Sequence, residues 1–170
     1  LQSIASGSFS LANAAGAVAI GGDGVDSDGD GARATNVSAT AVGSDAVAGG
    51  ASATALGANA TSNGVQATAV GYASTGSGSY SSGFGGFSEA TGFASNALGY
   101  GAVANAGYAI AVGTFSRATG ENSLAIGREA IANGGLSTAI GSSARANGPE
   151  GTATGNSSKA DGSYSSAYGG

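Results

Sequence analysis

Small and apolar residues recur along this chain with a strict 14-residue period. A Gly occupies each fourteenth position from Gly43 to Gly169, and Gly7 and Gly21 continue the spacing upstream. Ala almost always stands two residues before this Gly, and Ala or Ser stands three residues after it and, except for Gly151, four residues before it. A second Gly usually follows seven residues after the first. Repetition at a short fixed period is typical of a solenoid protein.

The alternation of small residues within each repeat predicts β-strands, because side chains of a strand point alternately to its two faces. The two Gly predict two corners, with positive φ or close approach of backbones. Each repeat is therefore expected to supply two strands of about five residues, stacked about 4.8 Å from those of the next repeat. We predict an all-β parallel solenoid, a β-roll in which each 14-residue repeat forms one coil.

Side-chain parity assigns the small residues to the interior and an apolar column to the exterior. The column stands one residue before the repeated Gly and consists of Ile20, Val42, Leu56, Val70, Phe84, Leu98, Val112, Ile126 and Ile140. An exposed apolar stripe of this length is typical of an association surface, so these residues are predicted to form an oligomer interface around a symmetry axis. The alternative is a monomer with the column inside.

Composition excludes several other classes of protein. The ordered columns argue against a flexible linker, although Gly makes up 34 of 170 residues. The net charge of −5 argues against nucleic-acid binding, which needs a concentrated basic surface. No apolar run approaches the roughly 18 residues of a membrane span. With no His and no Cys, the usual nucleophile–base pairs and zinc ligands are missing, so we expect neither an enzyme nor a resident cofactor.

An acidic insertion at about residues 22–31 interrupts the period. Within it, Asp26, Asp28 and Asp30 are followed by Gly31, which matches the D-x-D-x-D-G start of a Ca²⁺-binding loop. Val37 stands where such a loop carries its bidentate Glu. Two interpretations therefore remain, a calcium site and a solvated acidic loop at a corner of the roll that could contact a partner.

Two further features have alternative interpretations. Residues 78–86 are rich in Gly and aromatic residues, and they suggest either an aromatic surface for a ligand or altered packing at the symmetry axis. Thr recurs three residues before the Gly, as rows of Thr do on ice-binding solenoids. That row comprises Thr40, Thr54, Thr68, Thr138 and Thr152, and is interrupted by Ser82, Asn96, Ile110 and Leu124. It shares its face with the apolar column, so a buried face could not meet ice.

The sequence N-S-L-A-I-G at residues 122–127 closely resembles the N-S-V-A-I-G signature of YadA-like heads in trimeric autotransporter adhesins, and residues 137–141 and 109–113 are weaker copies. The resemblance covers nearly the whole chain. It implies a left-handed parallel β-roll in a homotrimer on the surface of a Gram-negative bacterium. Residues 1–170 would then be a single head domain, a fragment of a longer chain.

The function expected from this resemblance is adhesion at the extracellular face of the outer membrane. The partners would be host cell surfaces or extracellular-matrix macromolecules, bound through the outer faces of the trimer. Neither nucleic acid nor a membrane-spanning segment is expected. A passive rigid spacer within a surface fibre is the alternative, and an ice-binding solenoid is a third hypothesis.

Overall fold

The computed structural model describes residues 2–24 and 29–169, which wind into a parallel β-roll. One sheet, the first sheet, has 12 strands: Ile4–Ser6 (β1), Val18–Ile20 (β3), Thr40–Val42 (β5), Thr54–Leu56 (β7), Thr68–Val70 (β9), Ser82–Phe84 (β11), Asn96–Leu98 (β13), Ile110–Val112 (β15), Leu124–Ile126 (β17), Thr138–Ile140 (β19), Thr152–Thr154 (β21) and Ser166–Tyr168 (β23). The second sheet has 11: Leu11–Ala12 (β2), Arg33–Ala34 (β4), Val47–Ala48 (β6), Thr61–Ser62 (β8), Thr75–Gly76 (β10), Glu89–Ala90 (β12), Val103–Ala104 (β14), Arg117–Ala118 (β16), Ile131–Ala132 (β18), Arg145–Ala146 (β20) and Lys159–Ala160 (β22). The described residues contain no helix, so none of their segments is a helix able to cross a membrane.

Strands pair in register with their equivalents one repeat away. Thr54 pairs with Thr68, for example, which is its counterpart in the next repeat. The offset becomes 22 where Val18 pairs with Thr40, so the insertion is accommodated at the corner between β3 and β4 without a change of register. This confirms the predicted 14-residue coil and the parallel β-roll.

The strands are shorter than the predicted length of about five residues. Each coil has one strand of three residues and one of two. The reason is that both corners are turns closed by backbone hydrogen bonds, such as Ala67 N–H to the Gly64 carbonyl at 3.2 Å and Ser74 N–H to the Gly71 carbonyl at 3.3 Å. Residues within these turns still bond to the neighbouring coil, as Gln66 N–H does to the Ala51 carbonyl at 2.8 Å, but their left-handed conformation is not that of a strand.

The interior of the roll contains only the smallest side chains. Ala fills most buried positions at 0–2% exposure, and the largest fully buried side chains are Ser. Two sheets connected by such short corners leave no space for Leu or Ile between them. The prediction of an Ala and Ser core is confirmed, and the apolar column points outward.

The two Gly of each repeat serve different purposes. Gly57 has a φ of 134°, and a Cβ there would lie 2.5 Å from the carbonyl oxygen of Gly71 in the next coil. Gly120, from the second Gly column, has no positive φ, but a Cβ there would collide with the carbonyl of Gly134. Close backbone approach therefore occurs at both corners, whereas positive φ of the repeated Gly occurs only at the first.

Most corners also place a non-glycine residue in the left-handed region, usually two residues after the Gly. These residues have φ between 51° and 62° and include Ser38, Asp45, Ser52, Asn59, Gln66, Ala73, Tyr80, Phe87, Ala94, Tyr108, Phe115, Asn122, Glu129, Leu136, Ser143, Glu150, Ser157 and Tyr164. The repeat pattern did not predict them, because no single residue type fills these positions. Asn, Asp and Ser suit this conformation, whereas aromatic residues are unusual in it.

Candidate functional site

The exposed face of the first sheet carries the predicted apolar column. Its larger members keep between 37% and 51% of their surface exposed in the single chain, as Leu98 and Ile126 show. In-register pairing stacks Leu98, Val112, Ile126 and Ile140 into a continuous row. The column is therefore a strip of adjacent, half-exposed apolar side chains, as the parity argument predicted.

A second column on the same face widens this strip in the middle of the chain. It stands two residues before the apolar column, where Thr40 and Thr54 give way to Ile110 and Leu124. Ile110 is 38% exposed. Thr138 then continues the column beyond Leu124, so Thr and aliphatic side chains share one surface. The Thr row expected of an ice-binding surface is therefore interrupted by Ile110 and Leu124. These aliphatic side chains favour association through apolar contact.

The exposed face of the second sheet has a different chemistry. Its central column contains Val103, Ile131, Glu89, Arg117 and Arg145 among other residues. Arg145 also pairs in register with Lys159, which places two cations side by side. Adjacent like charges destabilise a sheet slightly and require solvent or a counter-charge. The two sheets therefore differ, with an apolar face on the first and a mixed, charged face on the second.

A hydrogen-bonded ladder follows one corner of the last coils. The Thr119 hydroxyl donates to Asn133 Oδ1 at 2.8 Å, Asn133 Nδ2 donates to Asn147 Oδ1 at 3.0 Å, and Asn147 Nδ2 donates to Asp161 Oδ1 at 2.7 Å. Lys159 Nζ lies 2.8 Å from the other oxygen of Asp161. The hydrogen bond from Lys159, with that from Asn147, holds the pKa of Asp161 below its ordinary value. This polar ladder links successive coils through their side chains.

Two aromatic ladders occupy the corners of the central coils. The first ladder consists of Tyr72, Phe87, Tyr100 and Phe115, with ring centroids 5.2–5.6 Å apart. The second ladder consists of Tyr80, Phe93 and Tyr108, with ring centroids 5.4–5.5 Å apart. Each ring meets the next edge to face, and every ring remains between 47% and 55% exposed.

Sequence reasoning missed these ladders because their members do not share one repeat column. Successive aromatic residues stand alternately one position more and one position less than a full repeat apart. That alternation was a signal that could have identified them. For residues 78–86, Phe84 does lie in the apolar column, but Tyr80 lies at a corner in the second ladder.

The predicted calcium ligands are only partly described. Asp26 and Asp28 lie outside the described residues, whereas Asp30 is exposed and forms an ion pair with Arg33. No group of three or more potential metal ligands occurs within residues 2–24 and 29–169. A cation bound by Asp30 would compete with the Arg33 guanidinium, and calcium binding stays a prediction.

The described part of the chain contains no pocket that could enclose a substrate. Together, the Ala and Ser core, the short corners and the long apolar strip define a repeat protein of the narrow β-roll class, which presents continuous faces to its partners.

The chain belongs to the YadA head domain repeat family, which matches residues 1–23, 34–60, 48–74, 90–116, 118–144, 132–157 and 146–170. Its structure is similar to the crystal structure of the collagen-binding domain of Yersinia adhesin YadA, with 26% sequence identity and a TM-score of 0.57. The similarity covers 91% of this chain and 80% of that domain. Comparison with curated protein sequences gives no match.

These comparisons confirm the resemblance to YadA-like heads and the all-β solenoid, and they support the homotrimer. The function is accordingly of the adhesin type. The handedness of the roll stays a prediction. Residues 75–89 lie between two matched segments, and they overlap the Gly-rich and aromatic stretch that departs from the repeat motif.

Proposed function

We propose that this chain is the head of a homotrimeric adhesin on the outer face of a bacterial outer membrane, where it attaches to host cells or to extracellular-matrix macromolecules. The continuous half-exposed apolar column on the first sheet is the observation that carries the proposal. In this proposal three copies direct that face toward a common axis. The mixed face of the second sheet and the corners then remain available for partners.

The energetics favour association through the apolar column. Complete burial of an aliphatic side chain stabilises by about 1.5–3 kcal/mol, and these side chains are already about half buried. Each would therefore contribute on the order of 1 kcal/mol in the trimer. The roll presents the column on a regular sheet, so little conformational entropy is lost when the copies meet.

A matrix protein is supported as the partner by the similar domain of Yersinia adhesin YadA, which is described as collagen-binding. A trimer presents each binding surface three times, which strengthens weak contacts through avidity. No catalytic step and no resident cofactor is part of this proposal. The uninterrupted register would also suit a rigid spacer, which is the second candidate function.

The assembly is tested by light scattering after size exclusion. We expect a mass three times the 15.6 kDa of the chain at micromolar concentration. Ile126→Asp places a charge in the apolar column and should dissociate or unfold the assembly. Arg145→Asp, on the opposite sheet, should leave the mass unchanged and is the matched control. A stable, folded monomer of the unaltered chain would contradict the proposal.

Attachment is tested separately by measuring binding to immobilised matrix proteins, with fibrillar collagen as the first surface. We expect saturable binding of the trimer, weakened strongly in Ile126→Asp because avidity is lost. Binding no greater than to an uncoated surface, for a chain shown to be trimeric, would favour the spacer instead.

A further inference from the structure

The aromatic ladders are built by a regular alternation of large and small residues. In the first ladder, Tyr100 is followed by Gly101, and in the next coil the order is reversed, with Thr114 before Phe115. A Cβ on Gly101 would lie 2.7 Å from the Phe115 ring, so the ring rests on the bare backbone of the coil before it. Phe115 therefore covers the small residue of the preceding coil, and its outer surface remains exposed.

Four of these rings occupy positions that do not suit aromatic residues. Tyr80, Phe87, Tyr108 and Phe115 have φ between 56° and 62°. In other coils the same positions carry residues such as Asn59, Ser52, Asp45 and Ser143. Edge-to-face contacts recover about 0.5–1.5 kcal/mol per pair, but half of each ring still faces solvent. Tyr164 shows the same departure as a single ring, with φ of 58°. The ladders differ from it because their rings stack into a continuous exposed aromatic surface, which is typical of a binding surface.

The charge around the ladders defines the kind of partner. Between residues 72 and 115, Glu89 is the only charged residue in the sequence. Such a surface offers no ionic attraction to an acidic or a basic ligand. It does offer aromatic faces and the hydroxyl groups of four Tyr, Tyr72, Tyr80, Tyr100 and Tyr108. The complementary partner is neutral, apolar in part, and rich in unpaired hydrogen-bond acceptors.

The axial spacing of the rings matches an extended polypeptide in the polyproline II conformation. Rings of the same type, such as Phe87 and Phe115, lie two coils apart, which corresponds to about 9.6 Å along the roll. One turn of a polyproline II helix contains three residues and advances about 9.3 Å. Its carbonyl groups are solvated and free to accept hydrogen bonds from Tyr. Aromatic surfaces recognise such chains in other proteins.

We propose that the two aromatic ladders bind neutral, proline-rich segments in the polyproline II conformation, with proline rings against the aromatic faces and main-chain carbonyls accepting hydrogen bonds from the Tyr hydroxyls. The first ladder spans three coil steps, about 14 Å, which accommodates about five residues of such a segment. This inference deepens the adhesin function proposed above and rests on it, because the ladders must remain accessible in the trimer.

The test uses a capped decaproline peptide and the trimeric chain. The protein has six Tyr and no Trp, and the variants replace the two Tyr of the second ladder, so binding is measured by isothermal titration calorimetry rather than by Tyr fluorescence. We expect saturable binding at two sites per chain, one for each ladder, and the double variant Tyr80→Ser/Tyr108→Ser should lose at least about tenfold in affinity at the second ladder alone, equivalent to about 1.4 kcal/mol. Ser occurs naturally at this position, as in Ser52, so the fold should tolerate the change.

Tyr164→Ser is the matched control. Tyr164 has the same left-handed conformation, with φ of 58°, and is 75% exposed, but it belongs to neither ladder. Its substitution should leave decaproline binding unchanged. The variant Tyr80→Phe/Tyr108→Phe keeps the rings and should bind severalfold more weakly at the second ladder, since only the hydroxyl donors are lost there. That variant tests the proposal even if the Ser variant does not fold.

Four results would overturn the inference. They are no binding of decaproline by the unaltered trimer, equal binding by the Ser or Phe double variant, saturable binding of a neutral oligosaccharide instead of decaproline, and dissociation of the trimer by the Ser double variant. The last would mean that the ladders contact a neighbouring subunit. The first of these results, in a trimer that does attach to collagen, would overturn this inference alone, whereas decaproline binding without attachment to any matrix protein would contradict only the proposed adhesion.

Discussion

Two buried serines offer a stringent test of how the core is stabilised. Ser116 is fully buried and its hydroxyl donates to the Gly113 carbonyl at 2.9 Å. Ser95 is equally buried, and its hydroxyl has no hydrogen-bond partner within the described part of the chain. Ala occupies the equivalent position in an adjacent coil, at Ala109 for Ser95 and at Ala102 for Ser116. The substitutions Ser95→Ala and Ser116→Ala are therefore sterically matched and differ in hydrogen bonding.

The expected changes have opposite signs. Removing the unpaired hydroxyl of Ser95 relieves a desolvation penalty of about 1–3 kcal/mol, less a small loss of packing, so Ser95→Ala should stabilise by about 1 kcal/mol. Ser116→Ala removes one hydrogen bond and should destabilise by about 0.5–1.5 kcal/mol. The Gly113 carbonyl keeps its bond from the Ser116 N–H at 3.2 Å, which limits that loss.

Thermal unfolding followed by circular dichroism measures both effects at one protein concentration, because the melting temperature of an oligomer depends on concentration. For a chain of this size, about 1 kcal/mol corresponds to a shift of about 2–4 °C. We expect Ser95→Ala to melt above the unaltered protein and Ser116→Ala below it. If both variants melt lower by the same amount, hydroxyl pairing does not decide the stability of this core, and the reasoning is refuted.

Two other predictions concern the corners. Gly127→Ala combines a φ of 129° with a clash against the next coil, so we expect little soluble protein and a loss of β-structure by circular dichroism, whereas Arg128→Ala beside it should fold normally. The Asp161 carboxyl has a pKa lowered by Lys159 and Asn147, so its stabilising contribution is present above its ordinary value of 3.8 and is lost as the pH falls through the lowered folded-state pKa. Asp161→Asn should accordingly melt below the unaltered protein at neutral pH, and the two melting temperatures should converge in strong acid. A difference independent of pH would contradict this.

The fold was predictable from sequence because its determinants are strictly periodic. Parity along each repeat assigned Ala and Ser to the core and Ile126 and its equivalents to the outer face, and both assignments are confirmed by burial. The position of the acidic insertion followed from the spacing of Gly21 and Gly43. In a roll this narrow, any large residue must point outward, so steric size and alternation together leave one arrangement.

Strand length and corner conformation were not predictable from the same columns. The left-handed residue of a corner is fixed by turn geometry, and residues as different as Asn122 and Phe115 occupy it. Its side chain points away from the core, so packing places no restriction on its type. The repeat columns therefore identify the residues that the fold requires. They give no information on which residue types occupy the left-handed corner positions.

The same freedom explains why candidate binding residues concentrate at the corners. A substitution inside the roll must match Ala or Ser in volume, and one in the apolar column must suit association. A corner residue other than the repeated Gly is subject to neither demand, so it can change from coil to coil without disturbing the register. Tyr100 and Phe87 lie in one ladder although they occupy adjacent columns of the repeat, because neighbouring corner positions project over each other between coils. Variation between coils at the corners, rather than conservation of the repeat, is therefore the pattern in which specificity of such a head should be sought.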